Sequence, residues 1–171
     1  MNAFEQGTRK AIPAVLIYAR HGREVLMLER ASKDPQDVHR GKHNGLGGKC
    51  DPDEAAQETA AREFFEEASL HVPPARFVMV GTLHFPNFKP HKAEDWLVFV
   101  LTVRLSDVER AALPREGPEG RLHFVDEDRV VDLNLWEGDR HFLPLVLRGR
   151  PFAGTFWYQD GRLARHLLQP L

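Results

Sequence analysis

The chain has 171 residues and a formal net charge of −2, with 23 basic and 25 acidic side chains. We expect one domain over residues 1–171, and the near-neutral charge argues against a general nucleic-acid-binding surface. The lone Cys50 excludes an intramolecular disulfide framework, and no apolar run approaches the roughly 18 residues of a membrane span. Because the first ten residues also lack the pattern of a signal peptide, we expect a cytoplasmic protein with no membrane partner; a monomer is favoured, although the sequence leaves the oligomeric state open.

The first predicted elements are two short apolar runs, Ala14–Ala19 and Glu24–Leu28, on either side of a turn that contains Gly22. Runs of this length around a glycine predict a pair of adjacent strands. A polar stretch, 31–43, follows them, and its length suits a flexible loop over a site. The start of the chain therefore predicts a strand pair and a covering loop.

A helix is predicted next. Asp51 as N-cap and Glu54 three residues later match a capping box, and Pro52 falls at the preferred first helical position. Several alanines that follow favour a helix and form a thin side that can lie close to a sheet. The sequence predicts a helix that begins at Pro52 and continues to about Ser69.

The rest of the chain alternates strands with helices. The predicted strands are 77–85, 96–103, 121–125, 155–158 and 163–168, and the predicted helices are 106–113 and 139–147. The last two strands form a hairpin around Asp160-Gly161, and strand 96–103 is apolar enough for both of its faces to be covered. This order predicts the α/β class, with a mixed sheet sandwiched between helices.

Three carboxylates stand at the end of the first predicted helix. Glu63, Glu66 and Glu67 are spaced i, i+3 and i+4, so a helix projects them from one face within about 6 Å of each other. Like charges this close repel, and oxygen-only ligands suit hard divalent ions, Mg²⁺ or Mn²⁺ above all. The alternative is a solvated acidic face with no function.

The run Gly48–Leu70 carries a longer pattern around these acids. It resembles the Nudix box, G-x5-E-x7-R-E-U-x-E-E-x-G-U, in which U is a bulky apolar residue. The matching identities are Gly48, Glu54, Arg62, Glu63, Glu66 and Glu67, and Phe64 and Leu70 are the apolar positions. Ser69 stands where the family has glycine; if it adopts the left-handed conformation, the cost is about 1 kcal/mol, and no metal ligand is lost.

The resemblance to Nudix enzymes implies an α/β/α sandwich that hydrolyses a nucleoside diphosphate linked to another group, using a divalent metal. The metal ligands it implies are Glu63, Glu66, Glu67 and the carbonyl of Gly47 or Gly48. Glu67 or Glu63 is the candidate base. Arg62 and Glu54 are expected to hold the turn and the helix in place, and Lys49 to contact a phosphate oxygen as a point charge.

Beyond the box, the chain resembles the MutT-type branch of the family, which acts on oxidised purine triphosphates. This resemblance implies six further residues: Asn44 and Asp139 as hydrogen-bonding contacts to the base, Trp136 stacking on it, Phe85 lining the pocket, Arg30 near the pocket and Glu119 joining the metal cluster. Animal relatives carry paired aspartates, whereas this chain has Gly138 before Asp139. Losing one partner can change base discrimination by more than tenfold.

Several alternatives remain open. Phe85 and Trp136 also fit plain core aromatics, and Asp139 also fits a helix cap. The leading function is Mg²⁺-dependent hydrolysis of a purine (d)NTP, with an oxidised purine favoured, to the monophosphate and pyrophosphate. The alternatives are hydrolysis of dinucleoside polyphosphates or nucleotide sugars, whose extra phosphates would meet loop cations (Lys33, Arg40 and Lys42), and a nucleotide-binding module without catalysis.

The histidines predict no metal site. His39 and His43 are spaced i, i+4, but the nearby glycine and polar residues place them in a loop, where this spacing does not bring the rings together. The other histidines make no ligand pattern in the sequence. Magnesium at the carboxylates is therefore the one cofactor that the sequence predicts.

Overall fold

The computed structural model describes residues 1–32 and 34–171, so Lys33 of the polar loop lies outside the described residues. The elements in chain order are β1 (Lys10–His21), β2 (Glu24–Arg30), β3 (His43–Asn44), α1 (Ala56–Ala68), β4 (Val78–Lys89), β5 (Glu94–Arg104), α2 (Asp107–Ala112), β6 (Glu116–Gly117), β7 (Gly120–Asp126), α3 (Asp139–Leu147), β8 (Phe152–Gln159) and β9 (Arg162–Pro170). Short 3-10 turns lie at Pro74–Arg76, Pro90–Lys92 and Val130–Asp132.

The strands form one mixed sheet in the order β6-β7-β2-β1-β5-β4-β8-β9, and β3 pairs with β2. The predicted strand pair is present, but β1 and β2 pair only beside their turn, at Arg20–Val25 and His21–Glu24. From Lys10 to Arg20, β1 pairs in parallel with β5. Because β1 and β5 carry apolar residues on both faces, they suit the middle of a covered sheet.

Alternate residues of β1 enter two core layers, one on each face of the sheet. Ile17 packs in the layer that contains Phe64 of α1. Its neighbour Tyr18 packs in the layer that contains Phe142 of α3. Successive strand residues point to opposite faces, so α1 and α3 cover opposite sides of the sheet. The predicted α/β/α sandwich with a mixed sheet is confirmed.

The predicted start of the first helix is wrong. α1 begins at Ala56, after an N-cap at Ala55, and the segment from Asp51 is a turn. The Asp51 N–H does donate to Glu54 Oε2 at 3.1 Å, as a capping box requires, but this contact closes the turn instead. Asp53 has φ 68°, which a right-handed helix cannot accommodate, so the chain cannot be helical from Pro52 onward.

The end of α1 agrees with the sequence. Ser69 has φ 53° and ψ 27°, in the left-handed region, and its N–H donates to the carbonyl of Phe65. Serine therefore takes the conformation that the family glycine would take, at a cost of about 1 kcal/mol. The substitution leaves the helix that carries the three carboxylates intact.

Candidate active site

A glycine segment crosses the edge of β1 and meets α1 from the side. Leu46 and Ile17 exchange backbone hydrogen bonds, with N–O distances of 3.0 and 2.6 Å, and the Val15 N–H donates to the Gly48 carbonyl at 2.8 Å. A Cβ built on Gly48 would lie 2.4 Å from the carboxyl carbon of Glu63. A side chain at 48 would therefore push the Glu63 carboxylate away, and glycine is strictly required at the neighbouring Gly47, where φ is 151° and a Cβ would lie 2.1 Å from the Val15 carbonyl oxygen.

Glu67 lies at the centre of this contact. Its side chain is buried, and Oε2 accepts the Gly47 N–H at 2.9 Å. Burial, followed by the charge of Glu119, raises the pKa of Glu67 well above its ordinary value. Burial also raises the pKa of Glu63, although the Arg62 guanidinium opposes this effect. The third acid, Glu66, is exposed.

Arg62 ties the helix to the glycine segment. Its Nε and Nη2 each donate to a different oxygen of Glu54 at 2.9 Å, and Nη2 also donates to the Lys49 carbonyl at 3.1 Å. The predicted scaffold contacts of Arg62 and Glu54 are thus present. Arg62 does more than the sequence suggested, because its Nη1 donates to Glu63 at 2.7 Å and to Glu66 at 3.4 Å. It therefore orients two of the three acids directly.

Arg30 and Glu119 meet beside Glu67. They form an ion pair, and the Ala31 N–H donates to the Glu119 carbonyl at 3.0 Å. The charge of the Glu119 carboxylate is, after burial, the largest influence that raises the pKa of Glu67. The structure thus brings Glu119 to the acidic cluster, as predicted from the sequence. It also places the Arg30 guanidinium on Glu119, which the sequence did not indicate.

These donors fit a hard divalent cation. The acids Glu63, Glu67 and Glu119 repel one another in a partly buried space, and the raised pKa values of Glu63 and Glu67 reflect that burial and repulsion. The Gly48 carbonyl already accepts the Val15 N–H, whereas the Gly47 carbonyl accepts no hydrogen bond within residues 1–32 and 34–171. Of the two carbonyls that the sequence left open, Gly47 is the one with free acceptor capacity.

A second group of predicted residues lies on the α3 side of the sheet. Phe85 and Trp136 both face Tyr158, with ring centroids 6.3 and 6.1 Å away from it. Phe85 and Trp136 are only partly buried, which leaves ring surface free for a ligand. We call these three rings the aromatic walls. Asn44 is also partly buried, and its amide makes no hydrogen bond in the part of the chain that the structure describes.

Tyr158 is the wall that sequence reasoning missed. Its hydroxyl oxygen accepts the Gly138 N–H at 2.7 Å. A Cβ on Gly138 would lie 2.6 Å from that oxygen and 3.0 Å from the ring of Phe156. An aspartate at 138, as in the animal relatives, would therefore clash with Tyr158, so the two residues depend on each other. The signal in the sequence is indirect: the missing aspartate implies that another side chain fills its space.

Asp139 is the first residue of α3, and it does not cap the helix. The N-cap position is Gly138, and the Asp139 side chain makes no hydrogen bond among the described residues. Burial raises the pKa of Asp139 to about 7, with Lys42 acting in the opposite direction. At neutral pH this carboxyl is therefore present in both protonation states, and it can donate or accept a hydrogen bond.

A buried hydroxyl lies close to Asp139. Tyr18 has no exposed surface, and its hydroxyl has no hydrogen-bond partner within the described residues. Burial and then the Asp139 charge raise the pKa of Tyr18, while a backbone group of Gly45 acts in the opposite direction. Sequence reasoning placed Tyr18 only in a strand, because nothing in a strand pattern distinguishes a core tyrosine from one beside a pocket.

Two of the four cations suggested as phosphate contacts, Lys49 and Lys42, lie beside aromatic rings. Lys49 is exposed, and its Nζ lies over Trp96, 5.4 Å from the ring centroid. Lys42 lies over Trp136 at 5.1 Å, and its Nζ donates to Asn134 Oδ1 and to the Leu135 carbonyl, each at 3.1 Å. Lys49 is thus free to turn toward a phosphate, whereas Lys42 is held at the aromatic walls.

Comparison with known proteins agrees with this geometry. The model of the NUDIX domain matches residues 7–146. The oxidized purine nucleoside triphosphate hydrolases of Mus musculus and Danio rerio are each 30% identical to this chain, over 120 and 119 residues; the matches cover 70% of this chain and 72% and 71% of those proteins. The crystal structure of a MutT protein from Bacillus halodurans superimposes with a TM-score of 0.77 and 25% identity, covering 92% of this chain and 97% of that one.

The chain therefore belongs to the Nudix family, and its MutT-type resemblance is confirmed. The predicted enzyme class, a Nudix pyrophosphohydrolase that acts on phosphoric anhydrides, is also confirmed. Enzymes of this family generally use divalent metal ions and act on small nucleotide substrates. No helix within residues 1–32 and 34–171 is long and apolar enough to cross a membrane.

Proposed function

We propose that this enzyme hydrolyses a purine (d)NTP, with oxidised purines favoured, to the nucleoside monophosphate and pyrophosphate in a reaction that depends on Mg²⁺. The observation that carries the proposal is the convergence of Glu63, Glu66, Glu67 and Glu119 beside the segment Gly47-Gly48. The relatives from mouse and zebrafish, which are named oxidized purine nucleoside triphosphate hydrolases, support the choice of substrate.

The metal would be held by the carboxylates of Glu63, Glu66 and Glu67, joined by Glu119 and the Gly47 carbonyl. When bound, Mg²⁺ supplies charge that offsets the phosphate oxygens and lowers the pKa of a coordinated water. Arg62 keeps Glu63 and Glu66 oriented through its bonds to both. The ion pair with Arg30 holds Glu119 at the edge of the same cluster.

The chemical step requires a base and an attacking water. A water oxygen attacks one phosphorus of the anhydride between the α and β phosphates, the bond from that phosphorus to the bridging oxygen breaks, and the products are the nucleoside monophosphate and pyrophosphate. We assign Glu67 as the base that takes the proton of the water, because its carboxylate lies at the centre of the cluster and the Gly47 N–H fixes its Oε2 in place. Glu63 is the alternative base. One of its two carboxylate oxygens already accepts a hydrogen bond from Arg62, so the roles of metal ligand and base would compete for that oxygen.

The base of the nucleotide would lie between the aromatic walls. Trp136, Phe85 and Tyr158 offer ring faces for stacking, and the Asn44 amide offers a donor and an acceptor together. Asp139 adds a carboxyl whose pKa is about 7. A group that can donate as well as accept suits an oxidised purine, because oxidation at the imidazole ring turns a ring-nitrogen acceptor into a donor and adds a carbonyl. Lys49 is the proposed contact to the phosphates.

A substrate panel tests this proposal. Purified protein with Mg²⁺ should release pyrophosphate from 8-oxo-dGTP, and mass spectrometry should find the intact monophosphate as the other product. Unoxidised dGTP, dinucleoside polyphosphates and nucleotide sugars are the matched comparisons. If kcat/KM is higher for a dinucleoside polyphosphate or a nucleotide sugar than for the (d)NTPs, that compound class becomes the proposed substrate. If no (d)NTP is turned over, the proposal is rejected. A nucleotide-binding module would bind the same panel without releasing product.

A further inference from the structure

A second group of metal-binding side chains lies away from the carboxylates of α1. Glu29 on β2 pairs directly with His43 on β3, and His123 on β7 pairs with Met27, two residues before Glu29. Residues opposite each other in antiparallel strands share a face, as do residues i and i+2 along one strand. Glu29, His43 and His123 therefore point to the same side of the sheet. We call these three residues the His-Glu cluster.

The atoms of this cluster are close together. One ring nitrogen of each histidine and one oxygen of Glu29 all lie within 4.8 Å of one another. The two imidazole rings meet edge to face, with centroids 5.3 Å apart. Tetrahedral zinc with bonds of about 2.0–2.1 Å places its ligand atoms about 3.4 Å apart, so small side-chain rotations would close the site.

The histidines also have unused binding capacity. The Nδ1 atoms of His43 and His123 are both buried, and neither has a hydrogen-bond partner among the described residues. Burial is the main cause that lowers the pKa of each ring, so both imidazoles are neutral and carry a free lone pair at neutral pH. A buried polar atom without a partner is costly, and a metal ion would satisfy such an atom directly.

The Arg121 side chain competes with a metal ion for the Glu29 carboxylate. Arg121 Nη2 lies 2.9 Å from an oxygen of Glu29, and the positive charge of Arg121 also acts on both histidines. The Arg121 side chain is 61% exposed, so it can turn into solvent without disturbing the core. Arg121 is thus a removable cation at a position where a metal cation would bind.

We propose that Glu29, His43 and His123 form a site for a zinc-class divalent ion, separate from the magnesium carboxylates. Two imidazole nitrogens and one carboxylate oxygen are a donor set that zinc prefers over magnesium, and three protein ligands leave a fourth position for water. The ion links β2, β3 and β7, and it fixes His43 directly beside Asn44. The sequence did not predict this site because its second imidazole comes from His123, on a different strand.

Cobalt binding tests the site. Co²⁺ serves as the spectroscopic probe, and it is titrated into metal-free protein in a large excess of Mg²⁺, which occupies the carboxylates of α1. We expect one Co²⁺ per chain, with the visible absorption bands of a four-coordinate ion that includes nitrogen ligands, and displacement of the probe by Zn²⁺. His123→Ala should weaken binding by at least about 10- to 100-fold, the loss that even an outer-shell partner causes.

Three further variants make the test specific. Glu29→Gln, which keeps the shape of the side chain, should also weaken binding, and it covers the case in which His123→Ala misfolds. Arg121→Ala should tighten binding by about tenfold or more, because it removes a nearby cation. His166→Ala is the matched control: His166 stacks on His141 with centroids 4.0 Å apart, but this pair has no third ligand among the described residues.

The opposite results overturn the proposal. The proposal fails if the unmodified protein shows no absorption bands with Co²⁺. It also fails if His123→Ala and Glu29→Gln bind Co²⁺ as tightly as the unmodified protein does, because Glu29 and His123 then hold no ion. Unchanged or weaker binding by Arg121→Ala would contradict the competition at Glu29, and with it the assignment of Glu29 as a ligand. Equal loss in His166→Ala would indicate nonspecific binding to surface histidines.

Discussion

The carboxylate cluster and the aromatic walls are built in opposite ways. The cluster takes Glu63, Glu66 and Glu67 from one turn of α1, and a glycine segment lies against them. The walls take Phe85 from β4, Trp136 from the segment before α3 and Tyr158 from β8. Local helical spacing fixes the first region, whereas packing between distant segments fixes the second. In the aromatic walls one side chain can therefore take the place of another: Tyr158 occupies the space that a side chain at Gly138 would need. The spacing of the three carboxylates on α1 allows no such exchange.

The largest expected effect comes from removing the proposed base. Glu67→Gln keeps the acceptor for the Gly47 N–H but removes the carboxylate, and kcat should fall by about 100- to 10,000-fold. Glu58→Gln is the matched control, because Glu58 lies on α1 but, among residues 1–32 and 34–171, accepts only the Ala55 N–H at the start of the helix. Steady-state pyrophosphate release measures both variants. Full activity in Glu67→Gln would move the base assignment to Glu63.

The next effect tests whether the cluster depends on its orienting residue. Arg62→Lys keeps the charge but loses the fork that reaches Glu54, Glu63 and the Lys49 carbonyl together. A displacement of about 1 Å can cost about 100-fold in rate, so kcat should fall by about 10- to 100-fold and more Mg²⁺ should be needed for half-maximal activity. Measuring the rate at a series of Mg²⁺ concentrations gives both kcat and the Mg²⁺ concentration for half-maximal activity.

Arg76→Lys is the control for that variant. Arg76 also donates to both carboxylate oxygens of a glutamate, Glu109, but this pair joins the turn Pro74–Arg76 to α2 and includes none of the proposed metal ligands. Its replacement should leave the rate and the Mg²⁺ dependence unchanged. If the two variants behave alike, Arg62 supports only the stability of the fold, and the cluster does not need an orienting residue.

The third effect tests the pocket through Tyr158. Tyr158→Phe removes the acceptor of the Gly138 N–H and changes one edge of the pocket, so the ratio of kcat/KM for 8-oxo-dGTP to that for dGTP should change by more than about tenfold. We expect the change mainly in KM, because the carboxylates are untouched. Trp157→Phe is the control, since the Arg165 guanidinium lies 3.8 Å from the centre of the Trp157 ring, and Trp157 forms no ring pair or hydrogen bond with Phe85, Trp136 or Gly138 among the described residues. An unchanged ratio would show that Tyr158 is only a core residue.

The same contrast explains what the sequence could predict. Glu67 and Arg62 were predicted because their partners lie within the same helix or the turn before it. The helix start was wrong because the positive φ of Asp53 depends on a turn that no residue preference reveals. Tyr158 and His123 were missed because each meets its partners over long separations: Tyr158 packs against Trp136 and Gly138, and His123 lies beside Glu29 through the pairing of β7 with β2. Sequence spacing thus predicts chemistry within an element more reliably than chemistry between elements.

A pH experiment examines the pocket through Asp139. Burial raises its folded-state pKa to about 7, so the folded protein holds this proton more tightly than the unfolded chain does. The resulting stability is full below the unfolded pKa near 4, and it is lost as the pH rises through about 7. Asp139→Asn should remove this decline and make the protein more stable than the original by about 1–3 kcal/mol at about pH 8.5. Urea denaturation at about pH 4 and about pH 8.5 measures the free energy of unfolding of both proteins at each pH.

Asp160→Asn is the control for that experiment, because Asp160 is exposed in the β8–β9 turn. It should leave the difference in unfolding free energy between the two pH values unchanged. An equal pH dependence in Asp139→Asn and in the unmodified protein would show that Asp139 is solvated. In that case its carboxyl would be ionised at neutral pH, and it could only accept hydrogen bonds from a nucleobase.

The smallest effect separates stability from recognition at Tyr18. Its buried hydroxyl has no hydrogen-bond partner in the described part of the chain, so Tyr18→Phe should raise the free energy of unfolding by about 1 kcal/mol. If the hydroxyl bonds to Asp139 or to the base once substrate enters, kcat/KM for the oxidised purine should fall in the same variant. Higher stability together with lower kcat/KM would show that Tyr18 belongs to the pocket. If Tyr18 only filled the core, removing its unpaired hydroxyl would leave kcat/KM unchanged. Lower stability would mean that the hydroxyl is already satisfied in the free enzyme, and the pocket would then end at Asp139.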